Sequence, residues 1–285
     1  MAAAGEVVRH VRWAKWPGAE MKGVKLMQRP ISIGLTENDM RLFFAIDDFK
    51  YLDRVYIDGV IYAGHSKQYI TNRLWKLVQN GYLDRIPKVG VLDWNYIITE
   101  QTIRVLDFLE RGDEEEAFNR LVYSNEPQPQ MQHQLELSYV IATIKKQFPD
   151  SIYINERMAT FQYGIRKHEV IRPDGQVLIP IGNNCYISYW IELERATTGQ
   201  KGNVFKIRRY NAFLQQSCFL EQYHYPGEVV EFCCLYIGAR RVDIERLARY
   251  AASGRPQFTI EYMNMEDEIL PLHFGASERR AQQCE

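Results

Sequence analysis

Arg172-Pro173-Asp174-Gly175, the apolar run closing in Trp190-Ile191-Glu192-Leu193-Glu194, and then Lys206 and Tyr210 decide how the second half of this chain is read. A carboxylate after proline, a Glu-x-Glu ending an apolar strand and a lysine on the next helix are the ingredients of a divalent-metal phosphodiesterase core. Hard cations such as magnesium take oxygen ligands. A metal and a lysine together stabilise charge on a phosphate in flight. On this reading Asp174 and Glu192 are the metal ligands, and Asp174, Glu192 and Lys206 form the catalytic set. A plainer reading stands beside it. Pro-Asp-Gly is a common turn signature, and two glutamates on a strand can be a solvated face. We expect Glu192 and Glu194 on opposite faces of their strand, which makes Asp174 with Glu192 the better ligand pair.

Around this stretch the pattern alternates. Residues 131–148 read as a helix, and short strands follow at 152–155, 169–171, 177–181 and 186–194. A helix over about 203–216, the strongly apolar strand 229–237, a helix over 243–252 and a last strand at 257–262 complete the half. The order αβββαβ is that of restriction-endonuclease-like folds, and an α+β domain with a central mixed sheet is the class it predicts. His133 and Glu136 share one face at the start of the first helix, and Glu136 is a further carboxylate candidate for the site.

Upstream, Ser124-Asn125-Glu126-Pro127-Gln128-Pro129-Gln130 has the composition of a linker. It predicts domains at 31–123 and 131–275, with a basic arm at 1–30 and a tail at 276–285. In the first domain Thr36 caps a helix, with Asp39 completing a capping box. A short helix over 53–61 follows, and Ser66 caps a third that stops at Asn80-Gly81. Residues 82–86 and 94–98 read as a hairpin around Pro87-Lys88-Val89-Gly90. Three helices and a two-stranded wing predict a winged helix-turn-helix. At 100° per residue, Gln68, Asn72, Lys76 and Gln79 form a stripe opposite Ile70, Leu74 and Leu77, with Arg73 beside the core face. Amide and ammonium groups in such a stripe suit base edges and phosphates in a major groove. Lys67, Gln68, Asn72, Arg73 and Lys76, with Arg85 and Lys88 of the wing, are the expected DNA-binding residues; a solvated helix face is the alternative.

The 35 basic and 36 acidic residues exclude a uniformly basic binder, so any nucleic-acid surface is a local patch. Five cysteines without C-x-x-C spacing predict reduced thiols and a cytoplasmic setting. No apolar run is long enough to span a bilayer, and Met1–Glu6 lacks the basic and apolar blocks of a secretory signal. Membranes are therefore not an expected partner.

The chain from about residue 35 to 274 also resembles the replication-relaxation family of bacterial plasmids and mobile elements. Carrying the resemblance, in family order, are Leu35-Thr36-Glu37-Asn38-Asp39, the run from Arg73 to Leu83, and His133. Arg172-Pro173-Asp174, the run from Ile191 to Thr197, Lys206-x-x-x-Tyr210, and Val230–Ile237 with Arg241 follow. The resemblance implies a winged-helix domain fused to a nuclease-like domain. It implies double-stranded DNA and replication or transfer proteins as partners. One departure matters: Glu194 stands where the acidic-x-Lys signature of PD-(D/E)XK nucleases has its lysine, so Lys206 would have to substitute. Three readings remain open: a DNA-binding protein with a degenerate nuclease-like domain, needing no cofactor to bind; an active magnesium-dependent endonuclease; or a second domain that serves only homodimerisation.

Overall fold

The computed structural model describes residues 33–87, 94–111, 128–164, 166, 169–194, 199–215, 225–238 and 240–265. They divide into two compact units, with the break between Lys146 and Gln147.

In the first unit, α1 (Glu37–Phe49) starts at Thr36. The Thr36 amide donates to Asp39 Oδ2 at 2.6 Å, and the Asp39 amide returns a bond to Thr36 Oγ1 at 3.3 Å. This reciprocal box satisfies two otherwise orphaned amides. α1 buries Leu42, Phe43, Ile46 and Phe49. Next, α2 (Arg54–Tyr56) runs into a π-helical turn, Ile57–Ile61, where a single helix was expected. α3 (Lys67–Gln79) is capped by Ser66 and buries Ile70, Leu74 and Leu77. Its end is a Schellman motif: the Tyr82 amide bonds the Leu77 carbonyl and the Gly81 amide that of Val78. Gly81 takes φ +73°, a backbone state that glycine enters without a Cβ penalty. β1 (Leu83–Pro87) and β2 (Trp94–Ile98) then pair antiparallel, Leu83 opposite Ile98, and Leu52 bridges Tyr96.

α4 (Glu100–Arg111) follows, and α5 (Gln128–Gln147) closes the unit. Met131 of α5 packs with Tyr51 and Ile97 in one buried cluster, with Ile86 and Leu135 against it. α5 is therefore grouped with the N-terminal elements, whereas the sequence reading opened the second domain with it. Met131 and Leu135 make that contact; linker composition does not report which core a helix joins. Expected features at 1–30, 117–123 and 276–285, and residues 124–127 of the linker, lie outside the described residues.

The second unit is built on a mixed five-stranded sheet in the order β3-β6-β7-β8-β9. β3 (Ile152–Asn155), β6 (Gly175–Gly182) and β7 (Cys185–Glu194) pair antiparallel. β8 (Glu228–Gly238) and β9 (Thr259–Asn264) continue in parallel. Two short strands, β4 (Phe161–Gln162) and β5 (Val170–Ile171), make a separate pair. The parallel strands need crossovers, which α6 (Gln200–Leu214) and α7 (Arg241–Gly254) supply. The two helices meet closely: a Cβ on Gly254 would come within 2.7 Å of Ile207. Between sheet and helices lies a core of Trp190, Tyr210, Phe213, Cys234, Tyr236 and Leu247. Trp190 stacks on Tyr210 at 4.7 Å. Central β7 is buried on both faces, which explains its near-continuous apolar sequence. Cys185, Cys233 and Cys234 are free, buried thiols; Cys218 and Cys284 lie outside the described residues.

Candidate functional site

Glu192 and Glu194 end the central strand and are 1% and 4% exposed. Side chains two apart on a strand share a face, and these two share Lys206. Its ammonium donates to Glu192 Oε2 at 2.6 Å and Glu194 Oε1 at 3.1 Å. The expectation of opposite faces is thus corrected by the strand's own period. One turn further along α6, the Tyr210 hydroxyl donates to Glu192 Oε1. Asp174 works differently. Its amide donates to the Ile191 carbonyl at 2.9 Å, and its Oδ2 accepts from the Leu193 amide at 2.7 Å. It thereby extends the β6–β7 ladder through a side chain. The topology does bring Asp174, Glu192 and Lys206 to one end of the sheet.

Electrostatics set the state of this cluster. One ammonium faces two carboxylates within hydrogen-bond reach. Burial pushes the Glu192 carboxyl up to about 7, against the pull of Lys206 and with the added repulsion of Asp174. Burial alone would lower Lys206, but the two glutamates outweigh it and hold the ammonium charged far above neutral pH. Tyr236 was not anticipated from sequence. It sits opposite Glu192 in the β7–β8 register, and its buried hydroxyl has no hydrogen-bond partner among the described residues. A tyrosine in an apolar strand carries no local signal of such a neighbour.

Magnesium at Glu192 would have to displace partners that the carboxylate already has. Both Glu192 oxygens are already held, one by an ammonium and one by a phenol. Among the described residues no three carboxylate, imidazole or thiol groups converge on one point. Glu136 bonds Gln132 on its own helix at 2.9 Å.

The second candidate surface is α3. Lys67, Gln68, Asn72 and Lys76 are exposed, and Gln68 donates to Asn72 at 3.0 Å. Arg73 is a correction. Its guanidinium turns inward, where Nε meets Asp39 Oδ1 at 2.9 Å and a terminal nitrogen bonds the Gly34 carbonyl at 2.8 Å. Tyr62 donates to the same aspartate at 2.8 Å. Burial would raise the Asp39 carboxyl, but Arg73, the Thr36 amide and Tyr62 overcome it and hold the group below its ordinary value. The capping residue of α1 is therefore also the buried anchor of α3. Arg85 on β1 lies 4.6 Å over the Trp94 ring, a cation–π contact that orients the arginine. Lys88 lies outside the described residues. Sequence reading passed over Tyr69 and Trp75, which are 43% and 57% exposed on α3.

No family model matches the chain, and no curated protein matches it. Among solved structures, restriction endonuclease FokI bound to DNA is similar at 12% identity over 81% of this chain, with a TM-score of 0.28. This chain spans 44% of the FokI chain. A likeness that low carries no argument about fold or activity. Among the described residues no helix is long and apolar enough to cross a membrane.

Proposed function

We propose that this chain is a duplex-DNA-binding protein, with a winged helix-turn-helix reading the major groove through α3 and a nuclease-like unit that does not cut. The observation that carries this is the make-up of α3. Its 13 residues, KQYITNRLWKLVQ, include no acidic side chain, in a chain of net charge -1. Lys67, Gln68, Asn72 and Lys76 face water, offering cations for phosphates and amides for base edges. Arg73 is removed from the contact set because Asp39 occupies it. The antiparallel hairpin β1–β2, which carries Arg85, follows α3 in chain order and supports the reading of it as a wing. In the second unit, Lys206 occupies Glu192 and Glu194, and Asp174 is turned to the Leu193 amide. A cytoplasmic role in replication, transfer or transcriptional control of a plasmid or mobile element rests on the ordered family motifs alone.

Two assays test the reading. A gel-shift series on the DNA upstream of the chain's own gene compares the intact chain with Asn72→Ala and Lys76→Ala. Both changes should weaken binding, and unchanged affinity in both would remove α3 from the interface. Supercoiled plasmid with magnesium or manganese should stay intact. Nicking that disappears in Asp174→Ala/Glu192→Ala would replace the non-cutting reading with an endonuclease using Asp174, Glu192 and Lys206.

A further inference from the structure

We infer that the solvent face of α6 is a second nucleic-acid surface, one that takes an unstacked single strand. Phe205 stands 60% exposed in that helix, and the Arg209 guanidinium lies over its ring at 5.5 Å. Lys201 and Arg208 are also exposed and fall one turn before and one turn after Phe205 on the same stripe. α6 contains no acidic residue. Of its four cations, Lys206 is spent inward on Glu192 and Glu194 and Arg209 lies against Phe205, while Lys201 and Arg208 face water. The Arg255 carbonyl at the end of α7 accepts from Asn211 at 2.9 Å, which sets another exposed cation beside the helix.

One exposed phenylalanine is ordinary on a protein surface. This one is braced by a guanidinium inside an acid-free stripe, the combination that single-strand binders use. Cations follow the backbone while a base stacks on the aromatic platform, extended by arginine. Duplex DNA keeps its bases stacked and offers this ring nothing but phosphate. α3 shows the opposite balance, with amides suited to base edges in a groove. The α6 surface is therefore independent of the duplex reading and goes beyond it.

Fluorescence anisotropy on the full chain tests this with a labelled oligodeoxythymidylate of about 16 nucleotides, near the upper site size of single-strand folds. A duplex of the same length is the control. Phe205→Ala should weaken oligothymidylate binding about tenfold, while Phe205→Tyr, which keeps a π face, should stay near the parent. Duplex affinity should be the same for all three. Arg208→Glu should weaken the oligonucleotide and flatten its salt dependence. The proposal is overturned if the parent chain does not bind the oligonucleotide, or if Phe205→Ala binds it as the parent does. An equal loss on duplex and single strand also overturns it, because the surface would then track backbone alone. Should Phe205→Ala lose its circular dichroism signature, the outcome rests on Arg208→Glu losing and Phe205→Tyr keeping affinity; any other pattern counts against.

Discussion

Two buried carboxylates, Asp39 and Glu192, show how differently one functional group behaves. Asp39, fully buried, is held ionised by Arg73, so the unit around it depends on that pair. Removing one partner of a buried pair strands the other charge, so Arg73→Ala should cost about 3 kcal/mol or more in a urea unfolding curve. A loss under 1 kcal/mol would show that water reaches Asp39. Because the folded pKa of Asp39 lies below its unfolded value, its contribution is present above pH 4 or so and fades as pH falls through the folded value. Glu192 has the opposite sign. Its folded pKa, about 7, exceeds the ordinary carboxyl value of 4.5, so the native state binds the proton more tightly. Stability from that proton is full below 4.5 and is lost as pH rises through 7. Chemical denaturation of the parent chain and of Glu192→Gln from pH 5 to pH 8 should show only the parent losing stability through this site. Parallel curves would place water or a counter-ion beside Glu192.

At the scale of the element, α3 and β7 were legible to different depths. For α3, the Ser66 cap, the Asn80-Gly81 stop and the spacing of Ile70, Leu74 and Leu77 are local signals, and the helix begins and ends where they put it. The inward turn of Arg73 was not local, because its partner lies 34 residues away in α1. For β7, the apolar run announced a strand, and its burial on both faces is a finding of the fold. The pairing of Glu192 and Glu194 was legible too, since a period of two needs no tertiary structure, and the expectation of opposite faces misapplied it. The acid-free face of α3 leads to a prediction at this scale. Lys76→Ala should reduce the slope of log K against log salt by about 1, as one phosphate contact is lost. Asn72→Ala should leave that slope unchanged while costing about 1–3 kcal/mol on the preferred sequence. Equal slopes for both would mean that Lys76 touches no phosphate.

At the scale of the whole molecule, two compact units each close a core of their own. Calorimetry should therefore resolve two unfolding transitions, with Arg73→Ala lowering one and Glu192→Gln changing the pH response of the other. Distant sites without shared partners add, so the double variant should show both changes at full size. A single transition moved by either substitution would show that the units unfold as one. The helix at 128–147 belongs to this scale. Its existence was plain from periodicity, but its grouping with the hairpin through Met131 and Leu135 was not.

Caps, strand periods, the α+β element order and the amphipathic stripe of α3 were determined by sequence alone, because each depends on backbone geometry within a few residues. The strand order of the sheet, the sharing of Lys206 between two glutamates, the anchoring of Arg73 on Asp39 and the side to which α5 packs were decided by tertiary structure. The reason is physical. A buried charge takes whichever partner the fold brings within about 3 Å, and that partner is set by how sheets and helices close over apolar surface. Lys206 illustrates the division. Its position on the helix behind the strand could be read from sequence, but its two bonds, at 2.6 and 3.1 Å, exist because α6 crosses back over the end of β7.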